Sequence, residues 1–277
     1  VPELEWRRLK DRLFTAFCIC STALALIPLG SMLYTIFMKG FSVISLSFLT
    51  GLPAPPGEPG GGFGNAIQGS LIVVGIASAI GIPLGIAAGM YLGEYPNSRL
   101  SRAISFTADV LTGVPSIITG IFAYMLVVLR FGGFSALAGG IALATMMLPF
   151  IVRTTEEAMK LVPWELREAS LALGAPRWRT TLQVVLSTAR FGIATGILLT
   201  IARIAGETAP LLFTAFNNRF WFDGVMQPVA TLPVMIYTYA ISPFDDWHAQ
   251  AWGGALVLVT MILLLNMGVR LATGRRW

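Results

Sequence analysis

The stretch Leu161-Val-Pro-Trp-Glu-Leu-Arg-Glu-Ala-Ser-Leu-Ala-Leu-Gly-Ala-Pro-Arg-Trp-Arg-Thr180 is an island of charge in a very apolar chain. Pro163 and Pro176 each fit the first position of a helix, where a missing N–H costs nothing. Gly174 falls where a left-handed C-terminal cap belongs. The pattern predicts a short helix over roughly 163–173, a turn, and a second helix from 176. At about 1.5 Å per residue the first helix is roughly 16 Å long, too short to cross a bilayer. Leu166, Ala169, Ser170 and Leu173 fall at i, i+3, i+4 and i+7 and share one face, with Glu165, Arg167 and Glu168 largely off it. Two roles suit such a helix between membrane spans: lying on lipid headgroups, or docking a partner protein.

The rest of the chain makes a membrane setting necessary. Hydrophobic residues are 55% of the sequence and charged residues 12%, against about 25% charged in soluble domains. Spans are predicted at about 14–38, 66–92, 107–129, 134–152, 191–216 and 251–271, an all-α bundle of about six transmembrane helices. Residues 1–13 read as a basic cytoplasmic leader with Arg7, Arg8, Lys10 and Arg12, and 14–277 as one membrane domain with its inner loop at 153–190. The numbering begins at Val1, so earlier residues are expected, and no cleavable signal pattern is visible.

Between the first two spans lies a Gly/Pro/Ser-rich loop, 39–64, with a short helix expected at Ser42–Leu49. In the second span Gly81, Gly85 and Gly89 recur every four residues, a spacing that lets helices approach closely in lipid, and Pro83 should bend it. The third span opens with Asp109 and contains Gly113-Val-Pro-Ser-Ile117. Val229–Ala240 is apolar but short and interrupted by Pro228, Pro233 and Pro243, so it is expected at the outer membrane surface.

Charge sets the orientation. With both termini inside, inner segments hold Arg99, Arg102, Arg153, Lys160, Arg167, Arg177, Arg179, Arg190, Arg270, Arg275 and Arg276, besides the leader, while outer segments hold Lys39, Arg130 and Arg219. Trp221, Trp247 and Trp252 are expected as an outer aromatic belt. Cys18 and Cys20 lie two apart on a helix and cannot bridge each other, so packing is their expected role. His248 has no companions, so no metal site is expected. No Gly-x-x-x-x-Gly-Lys-Ser/Thr occurs, so the chain should not itself hold ATP in a P-loop, and no catalytic constellation stands out.

Arg203-Ile-Ala-Gly-Glu207-Thr-Ala-Pro210 interrupts the fifth apolar run. Charges at that depth are costly and point to function by default. Arg203 and Glu207 are i and i+4, one helix face, and Pro210 should kink the helix beside them. The pair can be an ion pair pinning this helix to a neighbour. It can also be an anion step, with the planar Arg203 fork meeting phosphate-like oxygens and Glu207 holding the net charge near zero.

Two resemblances bear on these choices. Glu168-Ala-Ser, three residues, Gly174, nine residues, then Val184-Val-Leu-Ser187 resembles the Glu-Ala-Ala loop of ABC-transporter permeases, departing from it at Ser170, Val184 and Ser187. In that family the loop is the coupling helix that fits a groove on a cytoplasmic ATPase. The resemblance therefore implies an ATPase-coupling role for Leu166, Glu168, Ala169, Ser170, Leu173 and Gly174. Ala202-Arg-Ile-Ala-Gly-Glu-Thr-Ala-Pro-Leu-Leu-Phe213, with Gly113–Ile117, Thr231-Leu-Pro233, Ser242-Pro-Phe244 and Leu264-Leu-Asn266, resembles the PstA permeases of phosphate ABC importers. That implies a MetI-like permease bundle in a bacterial or archaeal inner membrane. Its implied partners are a PstC-type permease, a PstB-type ATPase dimer that binds the ATP and Mg, and a PstS-type phosphate-binding protein. The implied function is a phosphate path rather than an enzyme activity. A permease for molybdate, tungstate or sulfate, and a membrane scaffold or sensor, are the alternative readings.

Overall fold

The computed structural model describes residues 2–273, with side chains described for 6–268. Arg275 and Arg276, and the side chain of Arg270, expected at the inner face, lie outside what is described. Every regular element is a helix among the described residues. Five helices are long and apolar enough to cross a membrane, and a bent pair makes up to six.

The first of these, α1 (Pro2–Phe41), carries the leader and the first span on one rod. A short helix α2 (Leu46–Thr50) follows, capped by the Ser45 hydroxyl on the Phe48 N–H, four residues later than the expected start at Ser42. Next comes α3 (Gly64–Glu94), continuous through Pro83.

The third expected span is two helices. α4 (Arg99–Gly113) and α5 (Ser116–Phe131) are bent by 109° at Val114-Pro115. Pro115 cannot continue the hydrogen-bond ladder, and Val114 before it is extended (φ −77°, ψ 127°), the region a pre-proline residue prefers. The span expected over 107–129 is therefore a broken one, its break falling within Gly113–Ile117.

The fourth span is α6 (Ala136–Lys160), longer at its inner end than the 134–152 expected. α3 and α6 form the spine of the bundle. Gly81 lies against Met147, Gly85 against Ile151, Gly89 against Thr155 and Gly93 against Met159. Both members advance by four, so the helices run in the same direction, glycine face to side chain. A Cβ on Gly85 would stand 2.7 Å from Ile151 Cβ, too close without movement. The glycine spacing thus does what the sequence indicated.

After the short helix α7 (Trp164–Ala172) comes α8 (Arg177–Ala205). It begins and ends about a dozen residues before the expected 191–216. Thr180–Val185 within it form a wider i→i+5 turn. α9 (Ala209–Leu212) is a single turn.

Val229–Ala240 packs closely against its neighbours. Its helix, α10 (Leu232–Ala240), buries Leu232, Val234, Met235 and Tyr239. Gly69 leaves no room for a Cβ beside the Ala230 carbonyl, and the Leu232 N–H donates to Ser70 Oγ at 2.7 Å. The segment therefore packs against the bundle at the end where α3 begins. Trp247 is corrected: it is buried and stacks on Tyr239 with ring centroids 4.2 Å apart, instead of joining an outer belt.

The last helix, α11 (Asp245–Thr273), receives Phe48 and Phe63 against Gly253 and Gly254. It is also the support of α1: a Cβ on Gly40 would stand 2.7 Å from the Trp252 carbonyl oxygen. Beyond that contact α1 stands nearly free, and an apolar groove of about 750 Å³ separates it from α11. Cys18 and Cys20 are unbridged and face outward from α1, so the packing role expected for them is not seen within this chain.

Candidate functional site

The sequence singled out two places, and the structure sets them at different depths of the bundle. The first is the end of α8. The helix stops at Ala205, and Gly206 caps it, its N–H donating to the Arg203 carbonyl at 3.3 Å. Glu207 and Thr208 lie between helices, and Pro210 sits in the first turn of α9, where its missing N–H has no partner to lose. Two expectations are corrected here. Pro210 starts a new helix and does not kink an old one. Arg203 and Glu207 do not share one helix face, because the helix ends between them. None of the ion pairs among the described residues contains either.

The Arg203 side chain turns outward from α8, and its guanidinium carbon lies 4.5 Å from the centre of the Phe150 ring. Phe150 is in the middle part of α6, so this cation is held near mid-depth on an aromatic face. Thr195 and Leu199 continue the exposed line of Arg203 down α8. Pro210 is buried against α5, where a Cβ on Gly120 would stand 2.6 Å from its Cα. A charged side chain and a broken helix exposed at this depth cannot face hydrocarbon, so this side of the chain must meet protein or water.

The second place is α7. Gly174 has φ +80°, the left-handed cap the sequence called for. Its N–H donates to the Leu171 carbonyl at 2.9 Å, and the Ala175 N–H to the Ser170 carbonyl at 3.2 Å, the paired bonds of a Schellman turn. The helix is turned so that its apolar side is open: Leu166 and Leu173 are exposed, Leu173 by 90%, with Leu161, Trp164 and Trp178 nearby. Ala169 is exposed and Ser170 half-buried, its hydroxyl 2.9 Å from that of Thr180 in α8. Glu168 accepts a hydrogen bond from the Trp164 indole at 2.7 Å.

The matches to known proteins fit this architecture. The profile of the family described as binding-protein-dependent transport system inner membrane component matches residues 81–271. The phosphate transport system permease PstA of Yersinia pestis is 44% identical over 98% of this chain and 92% of its own. That of Xylella fastidiosa is 48% identical over 85% and 83%. The chain belongs to the PstA family of transport permeases. Among solved structures, a chain of a bacterial alginate ABC transporter in complex with alginate-bound periplasmic protein shares the fold, with TM-score 0.67 at 15% identity, covering 95% of this chain and 96% of that one. A PstA-family permease is a multi-pass inner-membrane transport subunit that works with a partner ATPase and a substrate-binding protein.

In this PstA-family fold two charge clusters appear that sequence reasoning missed. Arg153 of α6 donates to Ser105 Oγ at 2.7 Å and to Asp109 of α4, and pairs with Glu156 at 2.8 Å, which in turn pairs with Lys160 at 2.7 Å. Arg167, only 8% exposed, is the buried residue of α7, and it bonds Glu94 of α3 and the Met159 carbonyl of α6. The i, i+3 and i+7 spacing of Arg153, Glu156 and Lys160 was readable. Their partner Asp109 lies 44 positions from Arg153, and Glu94 lies 73 from Arg167, with no local signal joining either pair.

Proposed function

We propose that this chain is the PstA-type subunit of an ATP-driven phosphate importer, forming the path for inorganic phosphate together with a PstC-type permease. The observation that carries this is Arg203, exposed at a helix break near mid-depth and held on Phe150. A guanidinium there offers a planar fork to an oxyanion, and the relatives' names supply phosphate as the anion. Glu207, three positions into the bend region after Ile204, is the acidic companion at the same level of the chain.

In this reading α7 is the coupling helix, and Leu166, Glu168, Ala169, Ser170 and Leu173 meet a PstB-type ATPase dimer, which binds the ATP and Mg. The open apolar side of α7 supports it. The leader of residues 1–13 and both termini are cytoplasmic, as is the loop 153–190, and residues 217–250 lie on the opposite side, available to the PstS-type binding protein. Labelling of a cysteine placed at the exposed Asp223 from outside only supports that orientation, and labelling from the cytoplasm only overturns it.

The deciding experiment is ATP-driven uptake by the reconstituted four-component transporter. Phosphate uptake that sulfate and molybdate do not displace supports the proposal. Preference for either of those ions replaces it with another oxyanion permease, and assembly without any uptake replaces it with a scaffold.

A further inference from the structure

Arg167 lies off the apolar stripe of α7 and would pass as a solvated charge on a helical wheel. The structure buries it. Its Nη1 donates to the Glu94 carboxylate and its Nη2 to the Met159 carbonyl oxygen at 3.1 Å. Glu94 is the last residue of α3, and Met159 is next to last in α6. One guanidinium therefore closes over the ends of both helices of the glycine seam. Helix C-termini carry partial negative charge, which favours a cation there, and a buried cation must be paired to be tolerated.

The second fastening of α7 is on its other side, from Ser170 to Thr180 at the start of α8. These two attachments divide the work. Ser170 joins α7 to the helix that carries Arg203. Arg167 joins it to the α3–α6 pair, which the interlocked glycines make one body through the bundle. A lysine offers one point charge where the fork spans two acceptors on two helices. The other charged residues of α7, Glu165 and Glu168, are exposed.

We infer that Arg167 is a positioning residue for transport: it transmits displacement of α7 to the α3–α6 pair, and without it ATP hydrolysis runs on with little phosphate moved. This rests on α7 being the coupling helix. The residue does not touch the anion, and it meets the exposed side of α7 at the Trp164 ring, whose centre is 5.8 Å from its guanidinium carbon, while Leu166 and Leu173 stand open to the ATPase.

The test measures phosphate delivered per ATP hydrolysed in proteoliposomes holding the complete transporter and phosphate-loaded binding protein. Arg167→Ala is expected to assemble with the ATPase, since the exposed Leu166 and Leu173 are unchanged, and to lower the ratio by about tenfold, the scale of one charge-assisted hydrogen bond. A wild-type ratio in the assembled complex overturns the inference. If Arg167→Ala does not assemble, Glu94→Gln, which keeps the Met159 contact, decides the same way: a lowered ratio supports transmission and a wild-type ratio overturns it. Docking is read separately by cross-linking from Leu173→Cys to the ATPase. No cross-link in the assembled complex removes α7 as the coupling helix, independently of the ratio.

Discussion

Gly89 of α3 lies against the Val152 carbonyl of α6 so closely that a Cβ would stand 2.6 Å from its oxygen. A backbone oxygen cannot swing aside as a side chain can, so the helices must part to admit a methyl group. Overpacking of this kind costs about 1–3 kcal/mol. Gly89→Ala should lower the thermal midpoint of the purified chain in detergent. Gly75→Ala is the comparison, because a Cβ there meets nothing within 4 Å. It should leave the midpoint unchanged or raise it through the better helix propensity of alanine. Equal midpoints for the two variants would mean that the seam does not hold the bundle.

At α7 the prediction separates cap from face. Gly174→Val forces a branched side chain into φ +80°, at a cost of about 1 kcal/mol or more, although no neighbour is within 4 Å of its Cβ. Leu173→Asp leaves the backbone alone and puts a charge on the residue that is most open. Both should insert in the membrane normally and lose co-purification with the ATPase, Leu173→Asp more severely. Retention of the ATPase by both would place the dock elsewhere.

The break after α8 gives a prediction on selectivity. Phosphate at neutral pH carries protons and sulfate does not, and a carboxylate accepts hydrogen bonds but repels bare oxygens. Arg203→Gln should abolish most phosphate flux with assembly intact. Glu207→Gln, which keeps shape and a carbonyl acceptor, should raise the sulfate-to-phosphate uptake ratio more than it lowers phosphate flux. Uptake of both ions is compared using binding proteins able to deliver each. Normal phosphate flux in Arg203→Gln makes the arginine structural, and an unchanged ratio in Glu207→Gln removes the selectivity role.

Arg153 is the one cation reaching from α6 to both Ser105 and Asp109 of α4 among the described residues. Arg153→Met keeps the aliphatic stem and removes these bonds. Amide exchange in Arg99–Gly113 should quicken by about tenfold, as one or two charge-assisted bonds are lost, while α3 is unaffected. Unaltered exchange in α4 would show that its apolar contacts alone hold it.

The sequence made legible whatever rests on local period or backbone preference. The glycines at 81, 85 and 89 and the left-handed Gly174 follow from rules that act within a few residues, whereas Pro163 and Pro176 cap their helices from one position earlier than the first helical residue expected for them. The errors arose where depth and partnership decide. Nothing in Val229–Ala240 itself announces that Ser70 and the space beside Gly69 will receive it. Hydropathy reads the run through Arg203 to Phe216 as one span, whereas the backbone breaks at Gly206 and begins again before Pro210. Arg167 and Glu207 look alike on a wheel as isolated charges. Only the ends of α3 and α6 reveal that one is enclosed and the other is not.

The support of α1 by α11 has a consequence for how the protein is made. The ribosome delivers α1 before α11, so α1 waits for its packing partner until all the helices between them have been made. The seam of α3 and α6 can close long before that. Until α11 is made, α1 lacks its backbone support at Gly40, and the apolar exposed surface of its part beyond Arg12 suits it to that wait. Joining Gly40 to the Trp252 backbone therefore comes later than closure of the α3–α6 seam, and a chain shortened ahead of Asp245 has no means to perform it.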